Sequence, residues 1–182
     1  MKMILALLLM LFTQYVFAMT SWPTNYISGV LALNTLSDLH QLTDVYDCGE
    51  TEGAQFCGFE LDYRGIEFDA ELTVSGKNIT KIVFKTPFSV SAFTRLQTLL
   101  RSDNYQLESV KINGKQLVVE ELINSDGAQI ADKKLVEFLN LYPISASKQF
   151  TWIRKNEIQN TLATETLLMT SDKEKIKLIW LR

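Results

Sequence analysis

The chain has 182 residues, with 21 Asp and Glu, 18 Lys and Arg, one His and two Cys, for a formal net charge of −3. At 47% hydrophobic residues it lies in the globular range, which excludes a disordered or collagen-like chain, and its length fits one domain. The slight negative charge argues against the basic stripe that nucleic-acid binding requires, and after the N-terminus no apolar run is long enough to span a bilayer.

Met1-Lys2 supplies a positive start, Met3 to Phe12 is an unbroken apolar run, and Val16-Phe17-Ala18 sets short residues where a signal peptidase reads. This pattern predicts a secretory leader over 1–18, cut after Ala18. Thr13, Gln14 and Tyr15 interrupt the run too early for a membrane anchor. No Cys lies near the cut to carry a lipid. The mature chain, 19–182, is then expected in the periplasm or outside the cell, with no stable membrane span.

Leu36, Leu39, Leu42 and Val45 follow one helical face, so most of 24–45 is expected to be helical, with Ser37 as a cap. Gly29 and Asn34 are points where that helix could divide. Trp22 and Tyr26, close to the mature N-terminus, are expected to offer an exposed apolar contact. Cys48 and Cys57 enclose a polar, turn-like stretch that includes Glu50 and Glu52. In an exported chain the pair is expected to be a structural disulfide, since a redox site favours two intervening residues and a thiol nucleophile needs a His base.

The clearest pattern follows. Phe59, Leu61 and Tyr63 alternate with Glu60, Asp62 and Arg64, and after Gly65 the run Ile66 to Val74 alternates with Glu67, Asp69, Glu71 and Thr73. Period-2 alternation of this length predicts a half-buried antiparallel hairpin. Its acidic residues Glu60, Asp62, Glu67, Asp69 and Glu71 are expected on the face opposite Phe59, Leu61, Ile66 and Phe68. A third strand is expected over Ile79 to Lys85, bringing Lys81 and Lys85 to the same acidic face, and then a helix from about Ser89 to Ser102. Asn113-Gly114 joins a second hairpin. Ser125-Asp126 is read as the cap of a helix with Ile130, Ala131, Leu135, Phe138, Leu139 and Tyr142 as its apolar stripe. Strands over 149–155, 162–170 and 175–181 close the chain. The order α-βββ-α-ββ-α-βββ predicts a single α+β domain, about eight antiparallel strands with about three helices packed on them.

Motifs for catalysis are missing from the sequence. A single His excludes two-His and three-His zinc sites, and there is neither a phosphate-binding Gly loop followed by Lys nor a GxSxG elbow. No cofactor and no metal are therefore expected. Ser37 and His40 stand three apart without an orienting carboxylate, so His40 is read as a surface residue. The acidic residues remain. They suit a solvated sheet face first, then a surface for a basic protein partner, in which Glu50, Glu52, Glu60, Asp62, Glu67, Asp69 and Glu71 would make the contact. Cation binding and carboxylate hydrolysis through Asp62 and Glu67 rank behind these.

The expected function is accordingly a non-catalytic exported binding protein: an inhibitor, an immunity-type neutraliser, or an accessory factor in an envelope or secretion assembly. The main alternative is a subunit that self-associates by strand addition at an open sheet edge.

Overall fold

The computed structural model describes residues 21–156 and 163–181; the predicted leader and its cleavage point lie outside them. The helices are α1 (Trp22–Ile27), α2 (Leu36–Leu39), α3 (Val90–Ser102), α4 (Val119–Asp126) and α5 (Ala128–Asn140). The strands are β1 (Tyr46–Asp47), β2 (Gln55–Tyr63), β3 (Ile66–Ser75), β4 (Asn78–Pro87), β5 (Gln106–Ile112), β6 (Lys115–Val118), β7 (Lys148–Asn156), β8 (Ala163–Ser171) and β9 (Lys175–Leu181). All nine join one sheet in the order β1-β2-β3-β4-β9-β8-β7-β5-β6, and each neighbouring pair is antiparallel. The chain builds the sheet inward from one edge, crosses through α3 to the far side, and returns so that β9 closes the gap beside β4. This is the expected α+β class, with β1 and α4 as elements the sequence pattern did not mark.

The alternation read from the sequence sets the two faces of the sheet. Ala70, Phe84, Leu178, Met169, Phe150 and Val110 lie in register across six strands, all buried. The helices cover this face. α3 brings Phe93 edge-on to Phe150, with centroids 5.7 Å apart, and α5 adds Leu135 to the same core. α1 is only six residues long, too short to hold its shape alone, and it is fixed by what it buries. Its Trp22 sits 5.4 Å from Phe84, and its Tyr26 meets Trp180 edge-on at 5.3 Å. Each such aromatic pair contributes about 0.5–1.5 kcal/mol beyond area burial. Trp22 and Tyr26 are therefore core anchors, 8% and 1% exposed, and not the surface contact expected of them. They are buried because α1 folds back onto the sheet.

Two caps also differ from expectation. The region 24–45 holds two short helices in place of a long one, and Thr35, not Ser37, opens the second. The Thr35 side chain accepts from the Asp38 N–H while the Asp38 carboxylate accepts from the Thr35 N–H at 2.8 Å. Ser125 and Asp126 end α4 instead of starting α5, whose first turn follows Gly127. On α5 the stripe holds at Ala131 and Leu135, whereas Ile130 is 50% exposed.

The β2–β3 hairpin turns through Arg64-Gly65 and the β5–β6 hairpin through Asn113-Gly114, with positive φ at all four residues. A two-residue turn of this hand matches the twist of the strands it joins. Both edges of the sheet are short: β1 has two residues and β6 four. Beyond β1, the Asp62 carbonyl at the edge of β2 accepts hydrogen bonds from the hydroxyls of Ser21 and Thr24. β1 pairs only with Phe56 and Cys57, so among the described residues the outer edge of β2 from Gly58 to Tyr63 has no strand partner.

Candidate functional site

The acidic residues do not form one uniform face. Glu67, Asp69 and Glu71 follow the alternation of β3 and lie on the side away from the helices. Asp62 is paired in register with Glu67, and its carboxylate accepts from the Gly65 N–H at 2.7 Å. Asp62 thus shapes the hairpin turn. Glu71 forms an ion pair with Lys85, so part of the row is neutralised as the sequence suggested.

The departure comes at Gly58 to Leu61. Gly58 is opposite Ala70 and Leu61 opposite Phe68, leaving both Phe59 and Glu60 to face Asp69 alone. This β-bulge moves Phe59 out of the ladder: it is 55% exposed, where the simple alternation placed it in the core. Glu60 adopts a left-handed backbone, φ 53°, which non-glycine residues rarely take. A cue lay in the sequence. Phe56 and Leu61 are an odd number of residues apart, so an unbroken strand could not bury both, and the structure does bury both.

Phe59 meets Tyr46 from β1, itself 50% exposed; their rings lie 5.8 Å apart and are tilted by 35°. Tyr46 stands opposite Cys57 in register, and Cys57 is bonded to Cys48 across a Cα–Cα distance of 5.8 Å. The disulfide ties the two-residue strand to β2 beside the aromatic pair. Below it, the Asp47 carboxylate accepts from the Gly53 N–H at 2.6 Å and the Gly49 N–H at 3.1 Å. These bonds hold its carboxyl below the usual Asp range and fix the shape of the loop that carries Glu50 and Glu52.

Charge is concentrated at this corner. Asp44, Asp47, Glu50, Glu52, Glu60 and Asp62 fall between residues 44 and 62, and no Lys or Arg occurs between Lys2 and Arg64. Among the described residues none of these six takes part in an ion pair. The half-exposed aromatic pair is thus carried by a segment rich in carboxylates that make no ion pair among the described residues.

A cleft of about 830 Å³ is lined by Asn34, Asn78, Thr80, Trp180 and the Arg154–Glu165 ion pair. Arg154 is buried there: one Nη donates to the Ile27 carbonyl at 2.7 Å, and the guanidinium lies 4.7 Å from the centroid of the Tyr105 ring. Its charge serves to join α1 to β7 and β8. His40 is exposed, with Phe56 6.0 Å from its ring. Among the described residues no group of three or more His, Cys, Asp or Glu is placed to hold a metal ion, and no helix is long and apolar enough to cross a membrane.

Comparison with protein-family models, with curated proteins and with solved structures finds no match for this chain.

Proposed function

We propose that this chain is an exported, non-catalytic binding protein that recognises a protein partner with a basic surface, and that its cystine-pinned corner makes the contact. The reading is supported chiefly by the concentration of unpaired acidic charge around Tyr46 and Phe59. Protein interfaces centre on a few aromatic anchors with a polar rim, and charge complementarity speeds encounter and selects partners. The disulfide and the Asp47 bonds hold the loop in shape before binding, which lowers the ordering cost of association. An exported setting rests on the leader pattern and fits the intramolecular disulfide.

The test is capture from native envelope extract on the full chain tagged after Arg182, beside a triple variant, Glu50→Lys, Glu52→Lys and Glu60→Lys. Asp62 is kept because it holds the turn. A stoichiometric protein captured by the first and lost from the second supports the reading. Equal capture by both would remove the acidic corner from it, and no stoichiometric partner with either would overturn it.

A further inference from the structure

Resting on that reading, we infer that the Tyr46–Phe59 pair is a receptor for a lysine or arginine side chain of the partner, held by the faces of the two rings and by the carboxylates around them. Three observations converge. First, the two rings are each about half exposed although the chain has an ample core, and they lie against each other at 5.8 Å, tilted by 35°, with no third ring against either among the described residues. An exposed aromatic has an electron-rich face, and a cation within about 6 Å of its centroid is attracted by the ring quadrupole. Second, Phe59 sits at the break in the ladder, with Glu60 in a left-handed conformation beside it. The bulge lets Phe56 and Leu61 both be buried and leaves Phe59 on the outer side, next to Tyr46. Third, the charge is one-sided. Six carboxylates lie between residues 44 and 62 with no Lys or Arg among them and no ion pair drawn from the rest of the described chain.

An apolar side chain would satisfy the rings but leave these carboxylates unmatched, and a second copy docked corner to corner would bring the same negative charge to the contact. A cationic side chain satisfies both. Its aliphatic stem packs on the rings while its head stays among carboxylates and water, the arrangement long basic side chains adopt at surfaces.

The probes are N-acetyl-lysine methylamide and its neutral counterpart, N-acetyl-norleucine methylamide, titrated into the full-length oxidised chain while the ring signals of Tyr46 and Phe59, and the backbone amides of 45–60 that the variant also has, are followed by NMR. The lysine probe is expected to shift both rings saturably at millimolar concentration. In a Tyr46→Leu, Phe59→Leu variant, which keeps apolar bulk but removes both quadrupoles, its affinity is expected to fall about fivefold. Both residues are exposed, and an unchanged thermal melt would show that the variant is folded. Equal or tighter binding of norleucine would overturn the inference in favour of an apolar contact. So would unchanged lysine affinity in the variant, read from the backbone amides, or no saturable shift in the native chain at all. A ring-dependent dimer in sedimentation would overturn it in favour of a second copy. The probes need no partner, so this result is separate from the capture experiment: a partner held equally by the leucine variant would end this inference and leave the binding reading standing.

Discussion

Tyr63 is fully buried at the end of β2, and its hydroxyl donates to the Asp103 carboxylate at 2.7 Å. The other Asp103 oxygen accepts from Arg64 at 2.5 Å, and Arg64 holds a left-handed backbone in the hairpin turn. One buried carboxylate therefore fastens the strained turn to the end of α3. Burial, together with the hydrogen bond to Asp103, pushes the Tyr63 hydroxyl far above its ordinary value of 10.0, and burial does the same for Tyr105. A phenol whose folded value is raised keeps its proton in the native state while the unfolded chain loses it. Its contribution to stability is therefore complete below about pH 10 and falls progressively as pH rises beyond it. We expect chemical-denaturation stability to decline above that pH, and to decline less steeply in Tyr105→Phe, whose hydroxyl only accepts from Trp180 at 3.3 Å. An unchanged slope in that variant would contradict the account. Asp103→Ala strands both Tyr63 and Arg64. Arg64 remains partly in water, so the expected loss is about 2–3 kcal/mol in a urea melt, below the range for a fully buried pair.

Among the elements, α1 depends most on a single contact outside the core. Arg154 lies over Gly29, just beyond the end of α1, where an added Cβ would stand 2.8 Å from the guanidinium and where φ is +83°. Gly29→Ala is expected to cost about 3 kcal/mol, part from the left-handed backbone and part from the clash. In an Arg154→Ala background the clash is gone, and the same substitution should cost only about 1–2 kcal/mol. Equal costs in both backgrounds would show that the guanidinium does not rest on this glycine. β1 depends in the same way on its disulfide: Cys48→Ser with Cys57→Ser should lose about 2.7 kcal/mol by the chain-entropy model, measured by thermal or urea unfolding. The elements differed in how legible they were. β3 followed from alternation and α3 from the spacing of Phe93, Leu96 and Leu100, because each has an uninterrupted buried stripe. β1 did not, since two residues carry no period and are strand only through pairing with β2. The bulge was half legible, as a clash between the phases of Phe56 and Leu61. Arg154 under Gly29 was not legible at all, because the two residues are far apart in sequence and only the closing of β7 and β8 against α1 unites them.

At the scale of the molecule the charge is divided along the chain. Seven acidic residues and one Lys precede Arg64, for a net −6, while from Arg64 onward there are fourteen acidic and seventeen basic residues, for a net +3. The sheet turns this sequence asymmetry into a spatial one, since β1 and β2 form one edge while Lys81, Lys85, Lys175 and Lys177 lie on the neighbouring β4 and β9. Such a dipole orients an approaching basic partner toward the corner before contact, and the effect is screened over about 8 Å at physiological ionic strength. The two components of the corner should then separate kinetically. With the captured partner, raising salt or introducing Glu50→Lys, Glu52→Lys and Glu60→Lys is expected to slow association by about tenfold while changing dissociation little, because rim charges act during encounter. Tyr46→Leu with Phe59→Leu is expected to do the reverse, speeding dissociation about fivefold or more with association nearly unchanged, because anchor contacts form only in the docked complex. Stopped-flow association and chase experiments measure the two rates independently. Salt-insensitive association would remove steering from the account, and leucine variants that slowed encounter without shortening the complex's lifetime would show that the rings guide approach and do not hold the partner.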